Sequence, residues 1–230
     1  MKPRDVAQSR AVLEKALYEG RSTLSEHESK DFIRAYGIPV TREVEVRNLQ
    51  GLREAIDEVR FPLVMKASSP RIAHKSEHGL VRVDIRTLDE AQCSFQDIMS
   101  LMGETDGAVL VQEMILGARE LMVGLVRDVQ FGPCVMFGLG GIFTEVLKDA
   151  SFRVAPLETR DAFEMTREIR AARILEEVRG LPAADMDELV RILITVGQIG
   201  LDHEKVKEID LNPIIIEGSR PVVVDALVVL

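Results

Sequence analysis

Cysteine is nearly absent. Cys93 and Cys134 are the only two in 230 residues, they form no C-x-x-C pair, and both sit in apolar company. They read as buried, reduced thiols of a cytosolic chain rather than as a disulfide framework or redox pair. Positive charge is also in deficit: 29 Lys and Arg face 38 Asp and Glu, a formal charge of −9. That argues against a nonspecific nucleic-acid binder, whose footprint is a basic surface. It leaves nucleotides open, since a few local groups hold a phosphate. No apolar run approaches the length of a membrane span. The opening "MKPRDVAQSRAVLEKALYEG" is charged throughout and lacks the apolar centre of a signal peptide. The chain is expected to be soluble and cytoplasmic, with neither nucleic acid nor membrane as partner. Low-complexity tracts and internal repeats are missing too.

What is present is an alternation of helical and strand-like periods in a chain that is 46% hydrophobic, enough to bury a substantial core. Val12, Leu13, Ala16 and Leu17 recur at helical spacing. "LSEHESKDFIRAYG" predicts a helix capped by Ser25 and stopped by Gly37. "IPVTREVEV" and "FPLVMKA" predict strands on either side of the helical "NLQGLREAIDEVR", and "GLVRVDI" precedes a helix beginning near Thr87. "AVLVQEMI", "GARELMVGLVRD" and "FGPCVMFGLGG" predict three consecutive strands with glycine-bearing connections. Two helices follow, one closing on Gly180 and one capped by Asp185 and closing on Gly200. The fold class is α+β. An N-terminal helix over residues 1–24 is expected to pack on the second of two lobes, residues 25–106 and 107–230, divided at the turn-rich "GETDG".

The C-terminus, "EIDLNPIIIEGSRPVVVDALVVL", can be taken further. Gly218 and Ser219 suit a two-residue type II′ hairpin loop. If Glu217 pairs with Arg220, paired residue numbers add up to 437, which sets Asn212 opposite Asp225 on one sheet face, with Cβ atoms about 5 Å apart. Asp210, two residues back, points to the same face. An amide oxygen and a carboxylate at that separation can share a hard cation such as Mg²⁺. They equally suit an ordinary polar outer face backed by valine and isoleucine. Pro213 and Pro221 cannot donate ladder hydrogen bonds and predict an edge. "FGLGGIFTEV" lacks the G-x-G-x-x-G spacing of a dinucleotide site. Two of only four histidines, His74 and His78, fall in one loop, "SPRIAHKSEHGLV".

Taken together, Lys66, that histidine loop, "VQEM", "GLGGIFTEVL" and "IDLNP", in this order from about Leu24 to the C-terminus, resemble the ATP-grasp family. More narrowly the chain resembles the β subunit of ADP-forming acyl-CoA (acetyl-CoA) synthetases and, more distantly, the succinyl-CoA synthetase β chain. The resemblance implies an ATP-grasp fold with the nucleotide cleft between two α+β lobes, Mg²⁺ and ATP/ADP at the site, and phosphoryl transfer through a phosphohistidine. It implies a CoA-binding α subunit as partner, in an α2β2 heterotetramer. His74 precedes Lys-Ser in the "I-x-H-K-S-D-x-G" pattern and takes the phosphohistidine position; His78 falls where the pattern is permissive. Lys66 would reach the nucleotide phosphates, and the backbone of Ala73 to Lys75 would lie along them. Glu113, Met114, Ile115 and Leu116 match the adenine hinge, and Glu120 the acidic residue near the ribose. Asn212 and Asp225 match the metal ligands, and Asp210 a residue that steadies the phosphohistidine. Arg153 resembles a charged residue near the cleft, without an assigned role. The chain departs from the pattern at Glu77, where aspartate is usual, and at Leu80, where a second glycine is common and whose bulk restrains one loop hinge. Two other functions stay open. One is a stand-alone ATP-grasp carboxylate ligase, for which 230 residues is short. The other is a nucleotide-binding regulatory subunit, which has little need of a metal pair.

Overall fold

Two buried apolar clusters, each with its own sheet, organise the chain. The structure, a computed structural model, describes residues 6–68, 79–103, 107–141 and 149–230. One compact unit comprises Met1–Val40 and Ile115–Leu230, the other Thr41–Met114. The chain begins with helices α1 (Val6–Tyr18) and α2 (Glu26–Ala35). Ser25 caps α2 in a reciprocal box with Glu28, and Gly37 adopts φ 82° beyond its end. Leu13, Ala16, Phe32 and Ile33 from these helices join the larger cluster.

The Thr41–Met114 unit carries β1 (Glu43–Val46), α3 (Leu49–Val59), β2 (Leu63–Ser68), β3 (Val81–Ile85), α4 (Leu88–Met102) and β4 (Ala108–Glu113). α4 begins where the sequence predicts, and Thr87 caps it. The sheet order is β1-β4-β2-β3, all antiparallel. Leu63, Met65, Ala67, Val109 and Val111 form one core with Leu52, Ala55, Phe95 and Ile98 of α3 and α4. This corrects the expected lobe boundary at 106/107. "AVLVQEMI" was expected to open the second lobe, but β4 lies in the middle of the first sheet because its alternate valines are needed to cover these helices. The division falls at Met114/Ile115 instead, and residues 25–40 belong with the other unit.

The second passage through the larger unit gives β5 (Glu120–Asp128), β6 (Gly132–Leu139), β7 (Ala150–Val154), α5 (Thr159–Glu168), a 3₁₀ turn (Ala172–Leu175), α6 (Met186–Asp202), β8 (Glu208–Glu217), β9 (Arg220–Val223) and β10 (Leu227–Val229). Strand order is β10-β8-β5-β6-β7, with β9 also pairing β8. One sheet face, with Val123, Leu125, Val135, Phe137, Ile209 and Leu211, packs into a cluster with Leu189, Leu193 and Val196 of α6.

Three local expectations change. The helix predicted to run to Gly180 ends at Glu168, because the Asp149 carboxylate accepts from the N–H groups of Arg170 and Ala171 at 2.8 and 2.9 Å and diverts the backbone. Gly200 does not stop α6; a Cβ there would lie 2.6 Å from Leu125 and 2.7 Å from Pro133, so the glycine serves helix–sheet packing. Neither cysteine is buried: Cys93 is exposed on α4 and Cys134 half-buried on β6, both free thiols.

Candidate functional site

Hairpin register places the first three site residues. Pairs run from Glu217–Arg220 to Ile214–Val223, and resume from Asp210–Leu227 to Glu208–Val229. Each pair adds up to 437 on both sides of the gap, so Asn212 and Asp225 fall at matching positions inside it. There the Val224 N–H donates to the Pro213 carbonyl at 3.0 Å. Gly218, but not Ser219, has a positive φ (62°), as a type II′ loop requires. The expected edge is corrected at Pro213: β8 lies between β5 and the β9/β10 strands. The β5–β8 register shifts between Leu121–Ile214 and Val123–Leu211, so Asn212 and Pro213 together face the single residue Met122. A bulge of this kind frees proline from the ladder and re-aims its neighbour.

Asp210 stands two residues before Asn212, opposite Gly124 on β5. Its Oδ1 is buried without a hydrogen-bond partner among the described residues. Burial, then the neighbouring Glu208 and Asp225 charges, push its carboxyl up to about 6. An orphaned oxygen among like charges is unfavourable unless something cationic or hydrogen-donating arrives. The Asp225 carboxylate and the Asn212 amide oxygen are hard donors of the kind that Mg²⁺ takes. Among the described residues no group of three or more His, Cys, Asp or Glu side chains could hold a metal. The Asn212 amide and ligands from water or substrate phosphate would therefore complete the shell. The residues present fit the ion.

Glu120 opens β5, opposite Ile215 of β8. The Gly141 N–H donates to Asn212 Oδ1 at 3.1 Å. Gly141 has φ 60°, and a Cβ built on it would lie 1.8 Å from Glu120 Oε2. Its neighbour Gly140 presses on the Leu121 backbone, where a Cβ would come within 2.4 Å of the carbonyl. The Glu120 carboxylate and the Asn212 amide thus meet at one glycine.

In the other unit Lys66 lies mid-sheet on β2 and is 5% exposed, opposite Val81 and Leu110. It shares a row with Glu45 and lies on the face away from the α3–α4 cluster. The Glu113 carboxylate is engaged by Arg42: its oxygens accept from Arg42 N and Nε, both at 2.8 Å, and Arg42 Nη2 approaches to 2.7 Å. That ties β4 to the start of β1. The Met114 N–H already donates to Pro62 at 3.1 Å. Ala73, His74, Lys75, Glu77 and His78 lie outside the described residues. Leu80, just past them, is 4% exposed in the smaller cluster, and its carbonyl accepts from Ala67 at 3.0 Å. The Arg153 guanidinium is paired with Glu168 through both of its terminal nitrogens.

The ATP-grasp domain model matches residues 15–230. The chain is 43% identical to the Pyrococcus furiosus acetate–CoA ligase [ADP-forming] I subunit β, covering 98% of this chain and 99% of that one. It belongs to the ATP-grasp family, in the branch of ADP-forming acetate–CoA ligase β subunits. Among solved structures, the Ca. Korarchaeum cryptofilum dinucleotide-forming acetyl-coenzyme A synthetase 1 with coenzyme A, Ca-AMPCP and HgCl⁺ superposes on this ATP-grasp chain with a TM-score of 0.92. It is 41% identical and covers 96% of this chain and 99% of its own. A second structure of that protein, with coenzyme A and Mg-AMPPCP, has its phosphohistidine segment pointing towards the nucleotide-binding site. Its TM-score is 0.86, with 42% identity over 96% of this chain and 99% of its own.

Sequence reasoning had no view of Gly141, Glu208 or Arg42. Gly141 lay inside a quoted motif, yet its contacts with Glu120 and Asn212 depend on strand pairings that bring distant segments together. Glu208 was legible in principle, two residues before Asp210 and so on its face.

Proposed function

We propose that this chain is the nucleotide-binding β subunit of an ADP-forming acyl-CoA synthetase of the acetate–CoA ligase type, moving a phosphoryl group between His74 and ADP/ATP. The observation that carries the reading is the buried, donorless Asp210 oxygen beside Asn212 and Asp225, a cluster that makes sense only with a cationic or hydrogen-donating visitor. Full-length similarity to a β subunit supports the same reading over a stand-alone carboxylate ligase.

In the ATP-forming direction a terminal phosphate oxygen of ADP attacks the phosphorus of phospho-His74. A P–O bond forms, the P–N bond breaks, and the imidazole leaves as a neutral ring once its other nitrogen holds a proton. Asp210 accepts from that nitrogen and orients the ring. Lys66 neutralises phosphate charge, with the Ala73–Lys75 backbone lying along the phosphates. The backbone at Met114 to Leu116 receives the base, and Glu120 the ribose hydroxyls. Asn212 and Asp225 would hold Mg²⁺, which supplies charge neutralisation on the transferring group. The acyl and CoA chemistry belongs to a partner α subunit, in an α2β2 assembly placed in the cytoplasm with its nucleotide and CoA substrates. No helix among the described residues is long and apolar enough to cross a membrane.

The test is to incubate the protein with Mg²⁺ and γ-labelled ATP and assay acid-labile, base-stable label. Label is expected in the wild type and lost in His74→Ala. The reconstituted heteromer should lose acid-dependent ATP turnover with the same substitution. Undiminished turnover in His74→Ala would refute the reading.

A further inference from the structure

We propose that Gly141 is a positioning residue that sets the Asn212 amide and the Glu120 carboxylate together, joining the metal half of the site to its nucleotide half. The inference rests on the roles proposed above for Asn212 and Glu120, and adds a residue that neither role requires by itself. Three observations carry it.

The first is the hydrogen bond from the Gly141 N–H to Asn212 Oδ1 at 3.1 Å. An amide group has two orientations, and the flipped one would set NH₂ against N–H, donor against donor. The backbone therefore fixes which way the amide oxygen faces and leaves its second lone pair for a cation. The second is steric: Glu120 Oε2 occupies the space a Cβ on Gly141 would take, 1.8 Å from the ideal position. The carboxylate sits where it does because residue 141 has no side chain. The third is the backbone itself, at φ 60°, with Gly140 held to within van der Waals range of Leu121. The Gly140 N–H donates to the Glu120 carbonyl at 2.9 Å, so the tip of β6 is fastened to the strand that carries Glu120. Asn212, at the bulge of β8, approaches from the other side of β5.

Alanine at 141 would meet only the mobile end of a glutamate, so the chain still folds. The carboxylate moves, and the amide loses its fixed partner as the backbone relaxes. Gly132→Ala is the control, because Gly132 also has positive φ (76°) but open space where a Cβ would lie. The experiment titrates full-length wild type, Gly141→Ala and Gly132→Ala with ADP alone, with Mn²⁺ alone and with both, by calorimetry and by Mn²⁺ EPR. Thermal unfolding without ligand is measured in parallel. The expected result is a similar loss of Tm in both variants, with Mn²⁺ and ADP affinities each falling about tenfold or more in Gly141→Ala and within twofold of wild type in Gly132→Ala. Unchanged affinities in Gly141→Ala, loss of only one of the two, or equal losses in the control would each overturn the positioning role. Absence of Mn²⁺ and ADP binding in the wild type would instead remove the functional reading, and this inference with it.

Discussion

A carboxylate with a buried, unpartnered oxygen is a local liability, and Asp210 shows how a site accepts one. Its folded-state affinity for protons is raised, to a pKa of about 6 from 3.8, so ionisation opposes folding above that range, and the penalty fades as pH falls from 6 towards 4. At pH 8 Asp210→Asn should raise the stability of the metal-free protein, by on the order of 1–3 kcal/mol, read as a higher urea midpoint. The same variant should lower phosphoryl transfer at least 100-fold. A variant less stable than wild type at pH 8 would show that the carboxylate is not the liability described. His203 supplies the opposite case. It is buried against Phe32, with Nε2 2.8 Å from Tyr36 Oη. Burial chiefly, with Arg10 in the same direction and Asp202 opposing, lowers its pKa below the ordinary 6.5. A depressed imidazole pKa means the unfolded chain binds the proton better, so this contribution is complete above pH 6.5 and is lost as pH falls below it. Urea midpoints between pH 7.5 and 5.5 should fall more steeply in wild type than in His203→Gln. The difference between the two profiles isolates the imidazole from Asp210, which pulls the other way.

At the scale of elements, caps and turn loops were legible in the sequence, because each depends on chemistry within four residues. Ser25 and Asp185 cap the helices they were expected to cap, and the helix expected to begin near Thr87 does so. The Gly218–Ser219 loop sets the hairpin register, which runs unbroken past the gap. What stayed hidden depends on distant partners. The early end of α5 is written in Asp149, and β4 joins the first sheet because α3 and α4 need covering. The bulge at Asn212–Pro213 is visible only once β5 lies alongside. Arg127 belongs to this hidden class. From β5 its Nε donates to Val206 at 2.9 Å, and Nη2 donates to Gly200 and His203 carbonyls at 2.5 and 3.0 Å. A cation thereby satisfies the open C-terminus of α6, where the helix dipole favours it. Arg127→Met should cost about 2 kcal/mol, seen as a Tm lower by several degrees, with hydrogen exchange accelerated first around residues 199–206.

On the scale of the whole molecule, two α+β units were expected and are found, with a displaced boundary. The smaller unit is one continuous stretch with its own sheet, helices and core; the larger is closed from two separate stretches. A polypeptide limited to residues 41–114 should therefore retain mixed helix and strand circular dichroism and unfold cooperatively in urea. Residues 115–230 without the first forty should not, since Phe32, Ile33 and Ile38 would be missing from their core. The candidate site was legible to the extent that it follows from strand phase: Asp210, Asn212 and Asp225 could be placed by counting. Such counting works in both directions. Because side chains alternate faces with each step along a strand, one residue inserted between Gly218 and Ser219 would turn Asp225 away from Asn212, and the buried Val223 and Val228 out of the core with it. The hairpin tip is fixed in length and, at Gly218, in backbone conformation (φ 62°), and an insertion scan there should find activity abolished and Tm lowered at one added residue.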